Sequence, residues 1–187
     1  MRSMKRDEAW NLLNEFTKSE SLLKHALAVE AAMRHYAALF NADQNLWAVT
    51  GLLHDFDYER WPNPPDHTRE GARILREHGV EEEVVGAILS HAEWNQAECP
   101  LDRPIRKTLF AVDELSGFVT AVAYVRPEKL TGMSASSVRK KMKQKSFAAA
   151  VKREDIEKGA ELLELTLDEH INNVIAALQS VAKSLGL

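Results

Sequence analysis

The chain has 187 residues, of which 45% are hydrophobic and 28% charged, enough for one sizeable buried core and too balanced for disorder. The net charge of -4 gives no global drive toward nucleic acid or an anionic membrane surface. One cysteine, Cys99, excludes an internal disulfide and a thiolate metal cluster, which fits a reducing compartment.

Apolar residues recur at helical spacing along nearly the whole chain, with no sustained alternation of the kind that strands show. The spacing predicts an all-α protein with helices over about residues 7–17, 20–39, 44–56, 67–78, 81–92, 104–125, 135–150 and 154–185. No stretch reaches the roughly 20 apolar residues of a membrane span, and the basic N-terminus lacks an apolar run after it, so a cytoplasmic protein is expected. Asn41-Ala42-Asp43 ends the second helix and caps the third, Gly79 closes the fourth, and Pro104 suits the first turn of the sixth. The run Trp61-Pro62-Asn63-Pro64-Pro65 must be a loop and is a candidate pocket rim. A break is expected near Asp168 in the last helical stretch, where Gly159 also weakens the pattern.

Candidate chemistry concentrates where polar residues fall on core-facing stripes. His25 shares its face with Leu22, Ala26 and Val29, and His91 shares one with Val84, Ala87 and Ile88. Asp113 follows Leu109 and Phe110 on a face that otherwise reads as core. The doublet His54-Asp55 ends the apolar run Gly51-Leu52-Leu53. Any one of these histidines is readily explained as a satisfied core or boundary residue. Buried carboxylates and imidazoles on several helices are costly singly, and helical bundles build metal sites from such facing side chains.

The ordered set His25, His54-Asp55, Asp113 resembles the HD superfamily of metal-dependent phosphohydrolases, through Ser21-Leu22-Leu23-Lys24-His25, Gly51-Leu52-Leu53-His54-Asp55 and Asp113-Glu114-Leu115-Ser116-Gly117. Further along, His54-Asp55-Phe56-Asp57-Tyr58-Glu59, His67 with Gly71-Ala72, and Arg126-Pro127 look like a branch of small predicted HD hydrolases. The resemblance spans about residues 20–155, leaving the C-terminal helices as generic packing elements of a single HD-type domain. It implies an all-helical bundle with His25, His54, Asp55 and Asp113 as metal ligands. His67 and His91 would complete a second metal site, or bind phosphate beside a single ion.

Such ligands suit Mn, Fe, Co, Ni, Zn or Mg, one or two ions, and the implied reaction is hydrolysis of a small phosphorylated substrate, a nucleotide among the candidates, by metal-activated water. Asp55, Asp57 and Glu59 are the catalytic candidates, and Arg60, Arg69 and Lys107 the candidate phosphate contacts. A di-iron oxygenase and a non-enzymatic nucleotide-sensing module with a structural ion are the competing readings. His35, His78 and His170 match no pattern and are expected at the surface. The basic stretch 136–145 reads as a solvated helix face, and neither nucleic acid nor a membrane is an expected partner. No P-loop, nucleophile elbow or paired thiolate offers another mechanism.

Overall fold

Two helices with apolar side chains around most of their circumference organise the protein, α2 (Glu20–Leu39) and α6 (Pro104–Tyr124). Alanines 26, 28, 31, 32 and 37 keep α2 slim, so neighbouring helices approach it on several sides. The computed structural model describes residues 3–187, and among these the chain forms ten α-helices, one 3-10 turn and no β-strand. None of the helices is long and apolar enough to cross a membrane.

Helix α1 (Arg6–Phe16) packs on α3 (Gln44–Leu53), and α3 lies along α2. Close approach of α3 to α2 requires Gly51, where a Cβ would stand 2.8 Å from the Val29 carbonyl oxygen and 2.9 Å from Met33 Cγ. Helices α4 (Asp66–Glu77) and α5 (Glu82–His91) pack together, and α5 rests on α6. Helix α7 (Ala135–Met142) packs on α6 and on α9 (Leu167–Ser180), α8 (Arg153–Leu162) lies on α6, and α10 (Ala182–Leu185) meets α2. Two apolar clusters result. Phe118, Tyr36, Met33, Leu109 and Ile171 belong to one, and Phe56, Leu13, Leu52, Leu75 and Ile88 to the other, with Leu27 and Leu46 packed against both. Burial of each such side chain contributes roughly 1.5–3 kcal/mol.

The punctuation follows local chemistry. Asp43 Oδ1 accepts from the amides of Asn45 and Leu46 and starts α3. Asn41 takes the left-handed conformation, φ 53°, that ends α2, and Gly79, φ 71°, follows α4 in the same way. Thr166 and Glu169 form a capping box at α9.

Four expectations change. Helix α3 stops at Leu53, so the His54-Asp55 doublet sits in the turns between α3 and α4. The predicted 135–150 helix ends at Met142, because the Arg153 guanidinium gathers the carbonyls of Phe147, Ala148 and Val151 and holds that segment in turns. The predicted 154–185 helix breaks after Leu162, before Asp168, with Glu164 at φ 57° and Thr166 capping α9. Gly159 within α8 is a contact point with α6, since a Cβ there would meet Ala111 Cα at 2.7 Å.

The fourth change concerns His170, expected at the surface and found fully buried. Its Nε2 donates to the Ala111 carbonyl at 2.9 Å and its Nδ1 accepts from the Tyr36 hydroxyl at 2.6 Å, so the neutral ring is satisfied on both sides. His35 is half-buried against Asn173 Oδ1 at 3.1 Å, while His78 is exposed. Burial pushes the His170 pKa down to about 4. A histidine that takes up its proton near 6.5 when unfolded and near 4 when folded stabilises the fold fully above pH 6.5 and loses that contribution as pH falls toward 4. Urea denaturation is therefore expected to show up to about 3 kcal/mol of stability lost through this residue between pH 6.5 and 4, a component absent from His170→Gln.

Candidate metal centre

Three histidines reach the centre with the same tautomer imposed on them. His54 Nδ1 donates to the Gly51 carbonyl at 2.8 Å, where the end of α3 leaves that oxygen free, and His91 Nδ1 donates to the Ile88 carbonyl at 2.6 Å, near the end of α5. His67 Nδ1 donates to Asp57 Oδ1 at 3.0 Å. Carbonyl and carboxylate oxygens only accept, so each ring carries its proton on Nδ1 and turns an Nε2 lone pair inward, the usual arrangement behind a metal-ligating imidazole.

Those lone pairs face carboxylate oxygens. Asp55 Oδ1 lies 3.2 Å from His67 Nε2 and 3.2 Å from His91 Nε2, and Asp55 Oδ2 lies 3.4 Å from His54 Nε2. Asp113 Oδ1 lies 3.0 Å from His25 Nε2 and 3.4 Å from His54 Nε2. His25, His54 and Asp55 form one trio whose ligand atoms all fall within 4.8 Å of one another, and Asp55, His67 and His91 form a second. Helices α2, α5 and α6, the turn after α3 and the start of α4 thus bring all six predicted ligands together around Asp55.

Lone pair against lone pair is repulsive unless positive charge lies between them. His54 Nε2 and Asp55 Oδ1 are buried without a hydrogen-bond partner, which marks the same need. Desolvation pushes the Asp55 carboxyl up, yet His54, with His67 and His91, holds it well below the usual carboxylate range. Burial likewise opposes charge on His54 and His67, but Asp55 and Asp113 lift His54 well above its ordinary value, and Asp55 and Asp57 raise His67 to about 9. Protons or divalent cations would each meet that demand, and the mixed nitrogen and oxygen donors fit first-row divalent ions better than the all-oxygen preference of Mg.

The Asp57 carboxylate is fully engaged at the base of this arrangement. Besides His67, it accepts from the amides of Thr68 at 2.8 Å and Gly71 at 2.9 Å, closing the N-terminal end of α4 with a negative charge. Thr68 is buried at φ 67°, a conformation its side chain disfavours, and Asn95 Nδ2 secures its hydroxyl at 2.7 Å. Gly71 is required because a Cβ there would stand 2.9 Å from Asp57 Oδ2 and 3.0 Å from Phe56 Cε1. Glu59 is exposed and accepts from the amides of Lys18 at 2.7 Å and Ser19 at 3.1 Å, which lower its pKa. Both of these catalytic candidates accept hydrogen bonds from backbone amides.

A cleft of about 380 Å³ opens onto the centre, lined by His67, His91, Trp94, Asp113, Lys152 and Lys158 among others. Arg60, Arg69 and Lys107 do not line it, and neither does the 61–65 loop. Arg60 donates to the Glu15 carbonyl at 2.8 Å, and Arg69 to Asn95 Oδ1 at 3.0 Å. The cations of the cleft come instead from α8 and the residue before it, to which the sequence pattern assigns no role. Glu114 shares the cleft, its carboxyl raised to about 7 by burial and by Asp113 beside it.

Gly71→Ala is expected to cost about 1–3 kcal/mol in urea denaturation by prising Asp57 from α4. Asp57→Asn is expected to weaken retention of a divalent ion by about 10- to 100-fold in calorimetric titration.

No solved structure matches the chain. A family model described as HD domain matches residues 22–180, and so takes in the helices beyond 155 that the sequence motifs did not reach. With a match over most of its length, and His25, His54, Asp55, His67 and His91 gathered at one centre with Asp113 against His25 and His54, this chain belongs to the HD domain family.

Proposed function

We propose that the protein is a metal-dependent phosphohydrolase acting on a phosphoester or phosphoanhydride of a small metabolite, nucleotides among the candidates. The observation that carries this is the pair of ligand trios sharing Asp55, opening into a cleft that bears Lys152 and Lys158. His25, His54 and Asp55, with Asp113 against them, hold one ion, and Asp55, His67 and His91 hold a second. A divalent ion bound there polarises a phosphoryl oxygen and lowers the pKa of a coordinated water.

The protein's own groups complete the site. Lys152 and Lys158 are the cations available to phosphoryl oxygens outside the cluster, in a cleft that also bears Glu93, Glu154 and Asp155, with Lys152 Nζ 3.7 Å from Glu93. Asp57 acts as a positioning residue by fixing the His67 ring and the start of α4. Glu114, on the cleft wall next to Asp113, has carboxylate capacity left to hand a proton to the leaving oxygen.

The test is metal analysis of the purified protein joined to a screen of nucleotide, dinucleotide and sugar phosphates. Turnover is expected to stop with a chelator and return with added ion. His54→Ala and Asp55→Ala are expected to lose about 10³-fold in kcat while far-UV circular dichroism is unchanged. Glu114→Gln is expected to lose about 10²-fold or more with metal content retained. Normal metal binding without turnover on any member of the screen would overturn the assignment.

A further inference from the structure

A larger cleft, about 630 Å³, reaches the same centre from the side of His25. Ser21, Lys24, His25, Gly117, Ala121 and Tyr124 are among its walls, from the start of α2 and the second half of α6. His25 walls this cleft and lies 3.0 Å from Asp113, which walls the lysine-bearing one, so the two clefts meet across that pair. A phosphoryl group at the metal centre therefore has two directions in which its organic part can extend, and the two differ in chemistry. The lysine-bearing cleft carries Glu93, Glu154 and Asp155 beside its cations, whereas the larger one offers no unpaired side-chain charge.

Its polar side chains are engaged within the protein. Lys24 Nζ pairs with Glu20 Oε1 at 2.7 Å, the hydroxyls of Ser19 and Ser21 bond each other at 2.9 Å, and the Tyr124 hydroxyl donates to the Leu185 carbonyl at 3.0 Å. Thr120 Oγ1 is shut off from solvent and adds nothing to the wall. What α6 presents to a ligand is carbon, from Gly117, Ala121 and the ring of Tyr124. Tyr124 is more than half exposed, and so is Val125 after it, which carries apolar surface outward from the cleft. Gly117 differs from the packing glycines: a Cβ at Gly51, Gly71 or Gly159 would lie within 2.9 Å of a neighbour, whereas at Gly117 the nearest atoms are His25 Nδ1 at 3.8 Å and Cε1 at 3.9 Å. Glycine inside a helix weakens it relative to alanine, and packing does not require it here. The missing side chain leaves open volume beside a candidate ligand imidazole, in a cleft of the size that takes a small organic ligand.

We infer that this cleft holds the organic part of the substrate and that this part is a hydrocarbon group, alkyl or aryl, rather than a sugar or nucleoside, with Gly117 setting the bulk admitted beside His25. A sugar placed here would give up water at its hydroxyls and find wall groups already bonded to one another, whereas a hydrocarbon gains by leaving water. The inference rests on the phosphohydrolase reading and narrows it. In the reaction one water is consumed: its oxygen bonds to phosphorus, the ester P–O bond breaks, the ester oxygen takes a proton from that water, and the organic part leaves this cleft as an apolar alcohol or phenol.

The test uses the metal-loaded full chain and calorimetric titration with phosphonates, which have no scissile ester bond: methyl-, propyl-, pentyl- and benzylphosphonate, and the methylene phosphonate analogue of ribose 5-phosphate. Affinity is expected to rise about two- to fourfold for each added methylene, or about tenfold or more from methyl to benzyl, the larger gain telling alkyl from aryl. The ribose analogue is expected to stay within about threefold of methylphosphonate. Gly117→Leu, which fills the open volume, and Ala121→Gln, which sets an amide on the apolar wall, are each expected to flatten these gains with metal content and melting temperature retained. Affinity that rises for neither hydrocarbon, gains that survive both variants, or a ribose analogue that matches pentylphosphonate overturns the inference even where esters are hydrolysed. Gains that the variants flatten in a protein that hydrolyses no ester uphold the pocket and sink the hydrolase reading.

Discussion

A single carboxylate, Asp55, organises the centre of this protein. It stands within 3.4 Å of imidazole nitrogens from three separate segments, all with lone pairs turned toward it. Such an arrangement holds only if positive charge is supplied at the same place, so folding and cation demand are coupled. Helix α3 ends at Leu53, and Asp55 lies in the turns that follow it, among the imidazoles of α4 and α5.

Behind the candidate ligands, backbone carbonyls and one carboxylate hold the imidazole rings. The ends of α3 and α5 leave carbonyls that orient His54 and His91, and the Asp57 carboxylate performs the same task for His67. Because Asp57 also closes α4 and sustains the left-handed Thr68, the orientation of one imidazole and the existence of a helix start depend on the same three hydrogen bonds. Substituting any member of this group perturbs structure and site together.

The helical class was legible from periodicity, which also set His25, His91 and Asp113 on apolar faces where a histidine or aspartate stands out, while the His54-Asp55 doublet stood out at the end of an apolar run and His67 was expected only through the resemblance to the HD superfamily. What stayed hidden depends on distant partners. Nothing local shows that Thr68 will adopt a positive φ, so Asp57 read as a catalytic candidate and its hold on the start of α4 went unseen. Nothing local shows that Arg153 will collect the carbonyls of residues 147–151, so α7 read as longer than it is. His170 read as a surface residue because its polarity is visible in the sequence, while Tyr36 and the Ala111 carbonyl, which satisfy it, lie 134 and 59 residues away. Lys152 and Lys158 became part of the site only when α8 folded back on α6.

Both trios close over short stretches of chain, and only Asp113 comes from far away. One trio lies within residues 25–55 and the other within 55–91, whereas the His25 contact with Asp113 spans 88 residues. Loop-closure entropy grows with the logarithm of length, so the longer closure costs about 0.8 kcal/mol more. Both trios therefore close at less cost in chain freedom than the His25–Asp113 pair, which needs α6 docked against α2. Sharing Asp55 joins two short closures into one centre, onto which the distant α6 adds a single carboxylate.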